Sequence, residues 1–478
     1  MDVKYQAPQP TIQCYHSSIK INGSTLKGSA ADVTKNVVKD IATQESYYDF
    51  TPESPYLSGK NLQSYNFERS LDNFGGSFSF TVKEDISSDN LFMDEVEPLD
   101  IIKISESGSE QKIDFIGVVT KISIGATAST LNKIVTISGN SIEWLFSYYN
   151  INTDIKGVIF QNEEANNTFK TDLAKRDGEE GISIKDIVLA TYDMFEKQVT
   201  KLRENQNVAS NFLIGGLIKK WFGDDFVDAS DDTFFFPISS NLFTGGTINI
   251  IDYLRKLLPS PIYEIFGFVD ITGKPKIKVR KVPFDNPTAS VKIQPELLTD
   301  FTLTRTCDEV YTAFLPYVEG SSMSPDFYMN LETAEGIKEK GYNSTTRNEE
   351  KIKKYGYQLL TCSFVGYSNT VTKSGAIKEA VNMSKLSGLA DDLNKWFGNL
   401  DEMYSGDFTI VNVVNEKHAH IGEWIGFADG IFYITNESHT WNYGDNPTIN
   451  YQVIRGGEYV NNTFKPLKRL SAAYKEFD

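Results

Sequence analysis

Cysteine is scarce in this chain: Cys14, Cys307 and Cys362 are spread over 478 residues, with no Cys-x-x-Cys among them. That spacing argues against a disulfide framework or a zinc ribbon, and fits reduced thiols in a cytoplasmic setting. Long apolar runs are missing too. No stretch approaches the ~18 uninterrupted apolar residues that a spanning helix needs. The start, Met-Asp-Val-Lys-Tyr-Gln-Ala-Pro, has no basic segment leading into an apolar one, so no secretory signal is expected. Sequons such as Asn343-Ser344-Thr345 therefore carry little weight. Positive charge is in deficit, with 47 Lys and Arg against 64 Asp and Glu and a net charge of −17. This opposes general binding to nucleic acid or to an anionic membrane, because phosphates require a positive field. Chemical motifs are absent as well: there is no Gly-x-Gly-x-x-Gly after a strand, no phosphate-loop motif, no His-Glu-x-x-His and no Gly-x-Ser-x-Gly. Nucleotide, zinc-protease and hydrolase chemistries lose their usual signatures. Ser17 and Lys20 match Ser-x-x-Lys, but the companion motifs are missing.

Aromatic residues are abundant, at 13% with 24 Tyr and 31 Phe, a bias that suits half-buried pleated surfaces. The length allows roughly three domains, each with its own core. From Tyr65 to Phe146 the chain reads as strand after strand. Tyr65 and Phe67, then Phe78, Phe80 and Val82, alternate with polar residues around a turn of Asp72, Asn73, Gly75 and Gly76. Ile101, Ile102 and Ile104, the run Phe115 to Ile124, and Lys133 to Ser138 continue the pattern. Gly139-Asn140-Ser141 then leads into a short helix at Trp144.

The middle of the chain changes character. Ser183 to Glu204 spaces Ile184, Ile187, Val188, Phe195, Val199 and Leu202 for an amphipathic helix. A second apolar stripe holds Phe212, Ile214, Leu217, Ile218, Trp221 and Phe222. With Asp224 and Asp225 directly after it, the stripe suits packing against a core or a partner better than a membrane. Thr247 is expected to cap a third helix through Ile250, Ile251, Leu254, Leu257 and Leu258, which Pro259 and Pro261 end. Tyr263 to Asp285 reads as a hairpin turning at Thr272-Gly273-Lys274. Its return strand sets Lys276, Lys278 and Arg280 opposite Ile277 and Val279. Three cations in a row could grip phosphate, but the acidic whole favours a solvated strand face. Strands resume at Asp300 and again at Tyr355, a helix is expected over Ile377 to Phe397, and the chain alternates from Gly406 to Gly457.

Few residues group into candidate chemistry. His418 and His420 lie two apart and His439 one hairpin later, a spacing open to a three-nitrogen metal site if all three meet. Lys417 and the nearby Gly422 instead suggest a loop, in which that geometry is not assured. Glu143 beside Trp144, and Asp391 with Asp392 on a helix, are acids that glycoside chemistry could use, although spacing selects none of the 64 carboxylates.

Three stretches together resemble the baseplate hub proteins of contractile phage tails and related contractile injection systems, the tail hub or late control protein family. The first is a strand ending Arg69-Ser-Leu-Asp72, a small-residue turn and Gly76-Ser-Phe-Ser-Phe80, followed later by Phe115-Ile-Gly-Val-Val-Thr-Lys-Ile122. The second is Glu264-Ile-Phe266, a glycine turn and a strand closing on Arg280-Lys-Val-Pro-Phe-Asp285. The third is Ile421-Gly-Glu423, a tight Asp429-Gly430 hairpin, His439-Thr-Trp441 and a strand ending Arg455-Gly456. Residues 1 to about 60, 147 to 245 and 319 to 354 fall outside the resemblance.

The resemblance implies a β-rich α+β fold with two tube-like β-barrel domains and an intervening mixed domain. The expected division is an N-terminal arm (1–61), a first barrel (62–146) and a helical and mixed middle ending in a hairpin (147–295). A discontinuous second barrel (296–318, 355–374 and 406–460), an insertion loop (319–354), a helix (375–405) and a tail (461–478) complete it. The resemblance also implies a non-enzymatic homotrimer without cofactor or metal. It would join a six-fold tail tube to a three-fold central spike and line the channel for DNA and tape-measure protein. Implied partners are the tail tube or tube-initiator, spike, tape-measure and baseplate wedge proteins, with no sequence-specific nucleic acid and no membrane span. The implied place is the virion tail baseplate, assembled in the host cytoplasm. Two alternatives stay open: a cell-wall-degrading enzyme on a hub-like scaffold, and a carbohydrate-binding adhesion β-protein using the aromatics.

Overall fold

The computed structural model describes residues 7–8, 10–17, 20–21, 24–25, 43–49, 62–85, 96–106, 114–126, 132–148, 150–152, 182–193, 217–218, 221–234, 247–258, 260–285, 287–318, 346–364, 388–460 and 463–467. The fold is β-rich α+β and is built around one long, mainly antiparallel sheet. Near the N-terminus β1 (Pro10–Ser17) pairs with β4 (Thr43–Asp49), and a short ladder joins β2 (Lys20–Ile21) to β3 (Ser24–Thr25). The hairpin read at Tyr65–Asp85 is β5 (Leu62–Ser70) and β6 (Gly75–Asp85). Its turn reaches Gly75 at φ +93°, a conformation that side chains disfavour. Next come β7 (Ile101–Glu106), β8 (Phe115–Ala126) and β9 (Asn132–Ser141), giving the order β5-β6-β9-β8-β7-β1-β4. The N-terminal region read as an arm thus adds strands to this sheet. Residues two apart share a strand face, so Tyr65, Phe67, Phe78, Phe80 and Val82 meet Ile12, Ile102, Phe115 and Ile137 in one buried core.

A mixed region follows. Helix Trp144–Tyr148 leads to β10 (Asn150–Asn152), β11 (Ile182–Ser183), helical residues 184–193, β12 (Val227–Ala229), β13 (Thr233–Phe234) and β14 (Thr247–Asn249). Helix Ile250–Leu257 is capped by Asn249, whose side chain accepts from the Asp252 N–H, and not by Thr247 as expected. Thr247 instead opens β14, which pairs with β10, so the strand runs two residues further than the cap spacing implied. Of the long helix expected at 183–204, residues 184–193 are helical and 194–204 lie outside the described residues. Leu217, Ile218 and Phe222 are buried in the region's core with Trp221 against it, so core packing accounts for that part of the stripe; Phe212 and Ile214 lie outside the described residues. The second hairpin, β15 (Tyr263–Val269) and β16 (Pro275–Lys281), also takes β12 alongside β16 in parallel.

The second strand group contains β17 (Ala289–Lys292), β18 (Leu298–Thr304), β22 (Tyr404–Val411), β23 (Trp424–Phe427), β24 (Gly430–Asn442), β25 (Thr448–Val460) and β26 (Thr463–Lys465). Its own core holds Phe408, Phe427, Phe432, Ile434, Ile449 and Tyr451. The strands β19 (Ala313–Val318) and β21 (Leu359–Phe364), expected within the second barrel, pair in parallel with each other. With β20 (Thr346–Arg347) they make a separate sheet. The end of the expected insertion loop is therefore ordered as β20 and helix Glu349–Tyr355, while 319–345 lie outside the described residues. Helical residues 388–397 bury Leu389, Leu393 and Trp396 as read; Ile377 and Val381 lie outside. Among the described residues no helix is long and apolar enough to cross a membrane.

The two strand groups are joined directly, because β24 pairs antiparallel with β5 from Asn436↔Ser70 to Asn442↔Ser64. Close packing near this seam leaves no room at Gly139, where a Cβ would stand 1.9 Å from the Val118 carbonyl oxygen and 2.8 Å from the Phe78 ring. Gly139→Ala is expected to lower stability by about 1–3 kcal/mol, the usual cost of overpacking, in urea unfolding. An unchanged midpoint would show that β8 and β9 yield there without cost.

Candidate functional site

The β5–β24 register sets Arg69 opposite Glu437 and Phe67 opposite His439. Arg69 continues the buried face of Tyr65 and Phe67, and Glu437 continues that of His439, so charged residues arrive where alternation expects apolar ones. Arg69 Nη1 donates to Glu437 Oε1 at 3.1 Å, with 5% and 0% of the two side chains exposed. Its Nη2 donates to the Asp114 carbonyl, and the guanidinium carbon lies 5.5 Å from the Phe115 ring centre. The other carboxylate oxygen, Glu437 Oε2, meets His420 Nδ1 at 3.2 Å.

A second knot lies beside the first. Glu106, the last residue of β7, accepts from Tyr65 Oη at 2.5 Å and from Asn412 Nδ2 at 2.7 Å. Its Oε2 is also 3.1 Å from His439 Nδ1. The Glu106 N–H donates to Asp114 Oδ2 at 2.5 Å. His439 stacks on Phe67 with ring centres 4.3 Å apart, which holds the imidazole plane. Apart from the N–H to Asp114, each Glu106 contact draws on a strand or loop far away in sequence, and two of them come from the other strand group.

Electrostatics follow from this wiring. Burial works to raise Glu106, but the His439 charge and the hydrogen bonds from His439 and Tyr65 outweigh it, so its pKa lies below the ordinary value. Burial likewise opposes ionisation of Glu437, and His420 and Arg69 overcome it, bringing the pKa to about 2. For His439 the opposing pulls end in favour of the charge: desolvation lowers its pKa, Glu106 raises it more, and the net shift is upward. His418 goes the other way, pushed down to about 4 by burial and then by the neighbouring His439.

Arg69, Glu106, His418, His420 and His439 line a cavity of about 390 Å³, bounded on its other side by the β15–β16 hairpin through Phe266, Phe268, Ile271, Lys278 and Arg280. Arg280 is tied down within the wall: it donates to Glu264 Oε2 at 3.3 Å, to the Gly422 carbonyl and to Tyr433 Oη at 3.2 Å.

Of the residues singled out from the sequence, His418, His420 and His439 do come together on this cavity. Two of them face buried carboxylates through Nδ1, and among the described residues no group of three donors is arranged to hold a metal ion. The strand cations are matched by acids and not simply solvated: Lys276 with Asp225 and Asp270, Lys278 with Asp228, and Arg280 with Glu264. Glu143 is buried against Gly267, where a Cβ would lie 2.0 Å from its Cγ, and burial raises its pKa. Asp392 pairs with Lys281, and Asp391 accepts from the Thr346 hydroxyl at 2.8 Å. The side chains of Ser17 and Lys20 lie outside the described residues. Arg69, Glu106, Asn412 and Glu437 were not foreseen from the sequence. For Arg69 and Glu437 the signal was present, a charge in phase with buried aromatics; for Glu106 and Asn412 no local pattern exists.

No protein-family model and no curated protein matches this sequence. Solved structures similar to it include tail proteins and a component of a type VI secretion system. The 43 kDa tail protein of prophage MuSo2 from Shewanella oneidensis is 10% identical, with 94% of this chain and 97% of that one covered and a TM-score of 0.41. A tail protein from Neisseria meningitidis MC58 is 8% identical, covering 82% and 92% with a TM-score of 0.43. A component of the E. coli type VI secretion system, itself described as similar to bacteriophage T4 tail proteins, is 9% identical, covering 85% and 76% with a TM-score of 0.37. Superpositions this loose assign no residue a role.

Removing one member of the seam pair is costly because its partner stays buried and ionised. Arg69→Met is expected to lose about 3–5 kcal/mol, and adding Glu437→Met is expected to restore most of it. Urea unfolding of the wild type, both single variants and the double variant checks this. A double variant as weak as the sum of the singles would contradict a coupled pair.

Proposed function

We propose that this chain is a structural tail subunit: a baseplate hub protein, homotrimeric, that joins a six-fold tail tube to a three-fold central spike. The observation that carries the reading is the continuous sheet. Two strand groups, each with its own core, are fused through β5–β24 by buried ion pairs, an arrangement suited to a rigid wall and not to a hinged enzyme. The three stretches that resemble hub proteins support it further. Two of them are hairpins, β5–β6 and β15–β16, and the third supplies β24, the strand that pairs with β5, together with its neighbours β23 and β25.

Within this reading the channel carries DNA and tape-measure protein, and the acidic balance of −17 gives a wall along which DNA slides without adhering. Tail tube or tube-initiator, spike, tape-measure and wedge proteins are the partners, and the virion baseplate, assembled in the host cytoplasm, is the location. The chemistry of the cavity suits a structural role better than hydrolysis. The acids held above their ordinary values, Glu143, Glu264 and Asp392, are outside its lining, and Glu106 within it is held below. A saccharide-binding adhesin would need exposed aromatics in a groove. Among the described residues the largest fully buried side chains are aromatic, and the exposed large aromatics are the three separate tyrosines Tyr148, Tyr357 and Tyr443.

Light scattering of the purified chain over a range of concentrations, with electron microscopy of what forms, tests the proposal. Alone or mixed with the spike protein of the same particle, the expected product is a three-fold ring with a central channel. A strict monomer that stays monomeric with tube and spike proteins present would overturn the hub assignment.

A further inference from the structure

We propose that His418 makes the seam between the two strand groups acid-sensitive: neutral and seated in the cavity at pH 7, it lets loop 412–423 close over the buried Glu106–His439 and Arg69–Glu437 pairs, and taking up a proton drives that loop off.

The geometry puts His418 in an unusual position among the three histidines. His420 and His439 each rest Nδ1 on a buried carboxylate. Among the described residues His418 makes no hydrogen bond or ion pair, although it lines the same wall. A proton on it would therefore be a cation in a half-buried place, without an acceptor among the described residues and beside His439 and Arg69. The charged groups facing it come from every element around the cavity. β5 contributes Arg69 with Tyr65 behind it, and β7 with the following segment contributes Glu106 and Asp114. From β24 come His439 and, one layer back, Glu437. Its own loop contributes Glu416, Lys417, His420 and Glu423, and the β15–β16 hairpin contributes Asp270, Lys278 and Arg280. The nearest acids are already engaged: Glu106 by His439, Tyr65 and Asn412, and Glu437 by Arg69 and His420. Both carboxylates already have partners on each oxygen.

The direction with pH follows from linkage. His418 titrates at about 4 in the closed form against ~6.5 when released, so the open form binds the proton more readily. Closure is undiminished above about pH 6.5 and weakens as pH falls toward 4. Glu437, at about 2, remains ionised across that window. His439, shifted upward, contributes fully below its released value and weakens the seam only on the alkaline side. Glu106, held below its ordinary value, loses its contribution mainly as pH falls below about 4.5, so loss between about pH 6.5 and 4.5 falls chiefly to His418.

Hydrogen exchange of the full chain at pH 7.0 and 4.5, corrected for the intrinsic pH dependence of amide exchange, reads the opening directly. In the wild type, amides of loop 412–423 and of β24 are expected to open about tenfold or more faster at the lower pH, with β8 and β9 changed far less. In His418→Asn the acid response is expected to shrink to within about threefold. Equal protection at the two pH values in the wild type, or an undiminished acid response in the variant, overturns the proposal. Should His418→Asn fail to fold, the wild-type imidazole followed by NMR decides. A His418 midpoint well below 5 is expected, and a midpoint near 6.5 overturns it.

Discussion

Two carboxylates, Glu106 and Glu437, sit almost wholly out of solvent where the two strand groups meet. A buried ion is tolerated only when partners surround it, and the partners here are distant in sequence. Arg69 reaches Glu437 across 368 residues, and Asn412 and His439 reach Glu106 across 306 and 333. The charges therefore do more than sit at an interface. They favour a single registration of β5 against β24, because a slip of β5 by one residue would carry Arg69 to the face opposite Glu437 and leave both unpaired.

The same principle secures the mixed middle region to the second strand group. Arg280 of the β15–β16 hairpin binds Glu264 within its own hairpin and Tyr433 and Gly422 outside it. Arg455, at φ +59° in β25, donates to the Trp396 carbonyl at 2.7 Å and lies 4.0 Å from that ring's centre. Burial holds its pKa down near 10. Lys351 joins the helix Glu349–Tyr355 to Asp401 and to the Gly398 carbonyl. Each attachment places one cation where packed aromatic or backbone groups converge, so the irregular segments are fixed to the sheet by a few polar bonds and not by apolar contact alone. A wall built in this way suits the rigid role proposed for the chain.

Much of this was legible locally. Alternation with a pair of glycines marks β5–β6, and Thr272-Gly273 marks β15–β16, because a hairpin writes its own register into adjacent sequence. Apolar spacing found the helical residues 388–397. Long-range pairing left no such trace: nothing in Ala313–Val318 or Leu359–Phe364 tells that these strands pair with each other and leave the second group. Asn249, and not Thr247, caps its helix because β14 finds a distant partner in β10. The candidate site was half visible. Three histidines were noticed by type, but the carboxylates that govern them are ordinary acids among 64, and only a charge in phase with buried aromatics, at Arg69 and Glu437, distinguishes two of the key residues.

The most direct test of the account is the coupling energy between Glu106 and His439, taken from urea unfolding of Glu106→Gln, His439→Gln and the double variant at about pH 5.5, below the ordinary value of the raised His439 and above that of the lowered Glu106. An ion pair that fastens the two strand groups predicts coupling of about 1–3 kcal/mol. Costs that simply add would mean that the seam is held by strand pairing and apolar packing, and that the buried charges are incidental to it.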